Sequence, residues 1–66
     1  MKSWWYFFIS DNEADALDDL FWEIEGRNLS DYVEHHLIDR KFIRVKVSDE
    51  FKFLAKLRFN IETLND

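Results

Sequence analysis

The side chains in this sequence that could do chemistry are its carboxylates, which are concentrated in one segment. Residues 11–39 contain ten Asp and Glu side chains against a single basic residue, Arg27. Carboxylates can transfer protons, ligate metals or attract a cationic partner. Residues 40–58 have the opposite balance, with seven Lys and Arg side chains against Asp49 and Glu50. The net charge is −5, and its sorting along the chain predicts one acidic and one basic surface.

No motif in the sequence indicates an enzyme. The chain has no cysteine to act as a nucleophile, no glycine-rich phosphate loop and no Gly-x-Ser-x-Gly turn. We therefore predict a non-enzymatic protein with no catalytic residues and no cofactor. His35 and His36 have carboxylates nearby, but adjacent side chains on a helix point about 100° apart. For that reason we predict no metal site at these histidines.

Length and composition indicate one compact domain over residues 1–66. A chain this short buries only about 60% of its unfolded surface, and its seven Phe, three Trp and two Tyr compensate with large buried areas. Because small scaffolds often gain stability by association, we expect a homodimer. The apolar run over 4–9 is far shorter than the roughly 20 residues of a membrane span, so we expect no membrane partner. The lack of cysteine fits a cytoplasmic location.

The first half of the chain predicts a strand followed by a helix. The aromatic run over 3–9 favours a strand. Residues 10–13 fit a capping box, and apolar residues at helical spacing then predict a helix over 12–25 that ends at Gly26. A second helical piece is predicted over 31–38.

The second half predicts a β-hairpin. Residues 42–47 alternate between apolar and basic side chains, and residues 51–61 are apolar at every odd position. With 48–50 as the loop, the apolar side chains of both strands point to one side. The predicted fold is α+β: a small β-α-β-β domain with a three-stranded, mostly antiparallel sheet and helix packed on one face. The connection from strand 3–9 through the helix to strand 42–47 is expected to be a right-handed crossover, and the strand order stays open.

The acidic helix is the predicted partner-binding surface. Its apolar residues form one stripe on a helical wheel, and Trp22 falls on the opposite side among the acids. A Trp ringed by carboxylates has the composition of a hot spot for a basic, partly apolar protein. Rows of acids on a helix can also imitate the phosphates of DNA, so this partner could be a nucleic-acid-binding protein that the chain inhibits or modulates. The predicted partner-binding residues are Asp11, Asp15, Asp18, Asp19, Trp22 and Glu25. The alternative is that this helix face is simply solvated.

The open face of the sheet is the alternative binding surface. Basic side chains interleaved with aromatic rings on a sheet are typical of platforms on which the bases of single-stranded nucleic acids stack. The predicted residues of this surface are Trp4, Tyr6, Arg44, Lys46, Lys52, Lys56 and Arg58. Because a net charge of −5 repels nucleic acid, we rank direct nucleic-acid binding below protein binding. The same face could pack in the homodimer, or the chain could be a structural subunit of a larger assembly.

Overall fold

The computed structural model describes residues 1–65, which form a four-stranded antiparallel sheet with two helices. In chain order the elements are β1 (Lys2–Ser10), α1 (Asp11–Glu25), a 3-10 turn (Leu29–Tyr32), β2 (Val33–Leu37), β3 (Arg40–Ser48), α2 (Asp49–Arg58) and β4 (Glu62–Thr63). The strand order is β2-β3-β1-β4. This β-α-β-β-α-β connectivity is that of the split β-α-β, or ferredoxin-like, arrangement. The α+β class is confirmed, but the predicted three-stranded sheet is not matched: β2 and β4 were not predicted as strands, and α2 forms where the third strand was predicted.

Alternation along the two central strands decides which face of the sheet is buried. β1 and β3 pair over nine residues, from Lys2 opposite Ser48 to Ser10 opposite Arg40. Odd-numbered side chains point to the helices, and even-numbered ones point to the open face, as strand geometry requires. The buried core consists of Trp5, Phe7, Ile9, Ala14, Leu17, Leu20, Phe21, Leu29, Ile43, Val45, Val47, Phe51 and Ala55.

The predicted helix over 12–25 is confirmed as α1, which begins one residue earlier. The Ser10 hydroxyl donates to the Glu13 carboxylate at 3.2 Å, but it caps no backbone N–H, so only part of the predicted capping box forms. Gly26 ends the helix with φ 73°, and its N–H donates to the Trp22 carbonyl. A positive φ of this kind is what favours glycine at the position.

The prediction of a strand over 51–61 is wrong, because Asp49–Arg58 forms α2. The Ser48 side chain caps this helix by accepting from the Phe51 N–H at 3.2 Å. Phe51 and Ala55 are buried one turn apart, while Phe53 is 64% exposed. The apolar alternation of residues 51–61 led to the wrong prediction because it includes Phe53, which was taken as a core residue although its ring is exposed.

The predicted helical piece over 31–38 is also wrong. It consists of the end of a short turn followed by β2, which pairs with β3 through a tight connection at Ile38 and Asp39. Asp39 adopts φ 72°, a left-handed conformation that Asp tolerates better than most residues. Because β2 reverses the chain before β3, β3 lies antiparallel to β1. The expected parallel crossover between these two strands therefore does not form.

The short strand β4 and the residues after it protect the free edge of β1. Leu64 N–H donates to the Tyr6 carbonyl at 2.8 Å. The Asn65 side chain then accepts from the Tyr6 N–H at 2.8 Å and donates to the Trp4 carbonyl at 3.1 Å. A side chain thereby continues the ladder, which reduces the chance that another strand adds to this edge.

Replacing Phe51 with Ala is expected to lower the free energy of unfolding by about 3–5 kcal/mol, because its buried ring packs edge-on against Trp5 and Phe21. Phe53→Ala is the matched control and should change the free energy of unfolding of the isolated, monomeric chain by less than about 1 kcal/mol. Chemical denaturation of both variants provides the comparison. Equal losses would contradict the helix, since they would require both rings on one buried face.

Candidate partner-binding surfaces

The outer side of α1 carries a row of acids beside an exposed tryptophan. We define the acidic face as Asp11, Asp15, Asp19, Trp22 and Glu23, all of which are exposed. α1 contains no Lys or Arg, and Trp22 is 58% exposed. The predicted exposure of Trp22 is confirmed, and in the described part of the chain no arginine stacks on its ring.

Two predicted members of this surface have structural roles instead. The Asp18 carboxylate accepts from the Leu29 N–H at 2.6 Å and so holds the start of the 3-10 turn. The Glu25 side chain is only 2% exposed, so its prediction as a partner-binding residue is wrong. Both residues lie on the flank of α1 that meets the turn and β3, which a helical wheel without tertiary contacts cannot distinguish from a solvated flank.

Glu25 joins four segments of the fold through its carboxylate. One oxygen accepts from the Ser48 N–H at 3.1 Å and from the Ser48 hydroxyl at 2.7 Å. The other lies 3.0 Å from Lys2 Nζ and 3.2 Å from Arg27 Nη2. Burial raises the pKa of Glu25, but the hydrogen bonds from Ser48 and Lys2 outweigh it and lower the pKa to about 2.

Arg27, the one basic residue of the acidic segment, is part of the same cluster. Its guanidinium donates to the Tyr32 hydroxyl at 2.9 Å and to the Lys46 carbonyl at 3.1 Å. It also lies over the Phe21 and Tyr32 rings, at 5.2 and 5.0 Å from their centroids. Because this cation is used inside the fold, it does not neutralise the acidic face.

The open side of the sheet carries aromatic rings and arginines on its two central strands. We define the sheet face as Trp4, Tyr6, Phe8, Arg40, Phe42, Arg44 and Lys46. The Arg44 guanidinium lies 4.2 Å from the Trp4 ring centroid, and Arg40 lies 4.4 Å from that of Phe8. Phe8 also packs against Phe42, with centroids 5.3 Å apart. Several of these rings are therefore already covered by cations of the same chain.

The sheet face is less basic than predicted. Lys52, Lys56 and Arg58 belong to α2, on the other side of the sheet, so their placement on this face is wrong. Lys46 pairs across the ladder with Trp4 of β1.

Two carboxylates also adjoin the remaining basic groups of the sheet face. Glu34 lies 3.7 Å from Arg44, and Glu62 lies 3.5 Å from Arg40. The positive charge that this face offers to a nucleic acid is therefore partly offset.

The exposed side of α2 is a third surface, which was not predicted from the sequence. Phe53 and Leu57 lie one turn apart and are 64% and 67% exposed. They border a shallow depression of about 410 Å³, which we call the α2 groove. It is lined by Asp49, Lys52, Phe53, Lys56 and Leu57. The sequence feature that could have indicated this surface is Ser48, a potential helix cap that favours a helix over 49–58. Such a helix would place Phe53 and Leu57 outside the core.

The histidines lie on a strand and not on the predicted helix. His35 and His36 are in β2, and His36 Nε2 lies 3.6 Å from the Asp11 carboxylate. Within residues 1–65, no three His, Asp or Glu side chains are grouped closely enough to hold a metal ion. Neither of the two helices described is long and apolar enough to cross a membrane.

Comparison with known proteins gives no assignment: no family model, no curated protein and no solved structure matches this chain. What bears on function is therefore the chemistry of the three surfaces.

Glu25→Gln is expected to lower the free energy of unfolding by about 3 kcal/mol at pH 7, because the folded protein lowers the pKa of this carboxyl from 4.5 to about 2. The folded-state pKa lies below the ordinary value of 4.5, so the ionised group stabilises the fold fully above pH 4.5 and progressively less as the pH falls to 2. Denaturation of parent and variant at several pH values measures this. Glu23→Gln, at an exposed site, is the control. A Glu25→Gln loss that stays constant from pH 7 to pH 2 would contradict the role of the carboxylate charge.

Proposed function

We propose that this chain is a non-enzymatic binding protein that docks its acidic face on a basic, partly apolar surface of another protein and thereby modulates or inhibits that protein. The observation that carries the proposal is the 58% exposure of Trp22 in a row of outward-facing carboxylates. Tryptophan is among the residues most enriched at the energetic centres of interfaces. The isolated chain gains no stability from leaving this ring exposed to water.

The area that Trp22 presents is large enough to matter. A Trp side chain buries roughly 150–250 Å² when fully covered. Covering the exposed 58% would contribute about 2–4 kcal/mol at about 25 cal/mol per Å². The surrounding carboxylates add electrostatic attraction, which mainly raises the association rate and selects for basic partners.

The acidic face is also preorganised for binding. Asp18 and Glu25 anchor one flank of α1, and Glu13 accepts from the Asn60 N–H at 3.4 Å near its other end. Because the helix is held by these contacts, its acids keep a fixed spacing and lose little conformational entropy on binding. Acids on successive helical turns are about 5–6 Å apart, which supports a partner that normally binds the phosphates of nucleic acid.

A second candidate function is single-stranded nucleic-acid binding by the sheet face. The strand order favours it, because adjacency of β1 and β3 gathers the Trp4, Tyr6, Phe8 and Phe42 rings on one surface. Platforms of this kind stack bases on aromatic side chains of a sheet. We rank it second because Arg44 and Arg40 already cover two of the rings, whereas Trp22 is covered by no described arginine.

Trp22→Ala is expected to remove partner binding while changing the free energy of unfolding by less than about 1 kcal/mol. The test is retention of lysate proteins on the immobilised chain, followed by elution with a salt gradient. Basic proteins held by the parent should be lost from Trp22→Ala and retained by Trp4→Ala, the control at the other exposed tryptophan. Identical retention by parent and Trp22→Ala would refute the role of the acidic face, and unfolding of Trp22→Ala would refute its placement outside the core.

The sheet face is expected to bind labelled single-stranded DNA or RNA no more tightly than about 10⁻⁵ M at physiological salt, which is within the range of non-specific binding. The reason is the offset of its three basic side chains by Glu34, Glu62 and the net charge of −5. Fluorescence anisotropy titration measures the affinity. Tighter binding that weakens on Arg44→Glu, but not on Lys56→Glu in α2, would promote the second candidate above the first.

A further inference from the structure

We infer that the basic, partly apolar surface bound by the acidic face is the α2 groove of a second copy of this chain. The inference rests on the part of the proposed function that makes the acidic face a docking surface, and it names a second copy of the chain as the partner in place of a foreign protein. Two copies would associate through their helix layers, with α1 of each lying over α2 of the other. Both surfaces lie on the same side of the sheet. The acidic face carries carboxylates beside Trp22, and the α2 groove carries lysines beside Phe53 and Leu57.

The two helices run in opposite directions, as the contacts at their ends show. Glu25, the last residue of α1, binds Ser48, which precedes α2. At the opposite end, Glu13 accepts from Asn60, which follows α2. A twofold axis parallel to the helices, between two facing layers, therefore places α1 of one copy antiparallel over α2 of the other. Such a contact is isologous and closes as a dimer.

The level of each residue along the helices follows from the rise of about 1.5 Å per residue. Trp22 lies three residues before Glu25, and the third residue after Ser48 on α2 is Phe51, so the two lie at the same level. By the same count, Asp19 is level with Leu54 and Asp15 with Arg58.

The chemistry at these levels is complementary. Trp22 of one copy meets the start of the α2 groove, where the exposed Phe53 ring offers an apolar partner. Asp19 comes within a turn of Lys56, and Asp15 lies level with the exposed Arg58 at the end of α2. Each dimer repeats this set twice, so apolar contact and charge attraction act together at both sites. Like charges also approach at one end of the contact, where Glu23 comes near Asp49 and Glu50; all three side chains are exposed in the isolated chain.

This arrangement also explains why Phe53 and Leu57 are exposed on a chain with so small a core. Together with Trp22 they are three of the large apolar side chains that the isolated chain leaves in water. Association through the helix layers covers them and leaves both sheet faces outward. It therefore differs from a dimer formed by burying Trp4, Tyr6 and Phe8.

A charge-swap experiment tests the interface directly. Variant A carries Asp15→Lys and Asp19→Lys, and variant B carries Lys56→Glu and Arg58→Glu. All four positions are exposed, and circular dichroism with thermal melting checks that each variant is folded. In a homodimer of A or of B, both contact sites bring like charges together. In a mixed dimer, both sites pair opposite charges.

Sedimentation equilibrium across a micromolar dilution series is the measurement. The parent should be a dimer, A and B alone should dissociate at least tenfold more readily, and an equimolar mixture of A and B should recover the parent's dimerisation to within about threefold. Arg44→Glu, on the sheet face, is the control and should leave dimerisation unchanged. A parent that stays monomeric, a mixture that does not recover, or a dimer broken by Arg44→Glu would overturn the inference.

The same proteins separate this inference from the proposed function. If the parent is monomeric but captures basic lysate proteins that Trp22→Ala and variant A lose, the second-copy inference fails and the proposed function stands. If the charge swap restores the dimer while no captured protein depends on Trp22, the inference holds and the docking of foreign proteins fails.

Discussion

The antiparallel pairing of β1 with β3 is the constraint on which the rest of the structure depends. Nine residue pairs fix the register, and alternation then sends Trp5, Phe7 and Val45 to one side of the sheet. Each strand passes directly into a helix, at Ser10 and at Ser48, so both helices return over that buried side. Because the two strands are antiparallel, so are the helices, and the end of one meets the start of the other.

Glu25 links the elements of this arrangement through its carboxylate. A carboxylate that is only 2% exposed would destabilise the chain if it were unpaired. Here it accepts from the residue that caps α2 and pairs with Lys2 and Arg27, so β1, α1, β3 and the start of α2 share one hydrogen-bonded cluster. Two cations, Lys2 and Arg27, are used in this way and are therefore not directed at the outer acids of α1.

The three surfaces differ in how far other side chains of the same chain already cover their apolar groups. On the sheet face, arginines stack on the Trp4 and Phe8 rings, and carboxylates accompany those arginines. On the helix layer, Trp22, Phe53 and Leu57 remain more than half exposed. Of these surfaces, the two helices therefore leave the most apolar area for a partner to bury, and charged side chains of both signs flank the exposed groups there.

Sequence by itself determined the aromatic strand, the α1 helix with its Gly26 terminus, the alternation of 42–47 and the exposure of Trp22, because local periodicity and capping govern each of them. Only the tertiary structure decided the rest. Residues 51–61 alternate like a strand, but the core has room for Phe51 and Ala55 on one helical side and excludes Phe53. Glu25 resembles its acidic neighbours in sequence, and only its meeting with Ser48, 23 residues away, makes it a buried structural group. Long-range contacts of this kind carry no local signal, since any carboxylate on that flank of the helix fits the same pattern.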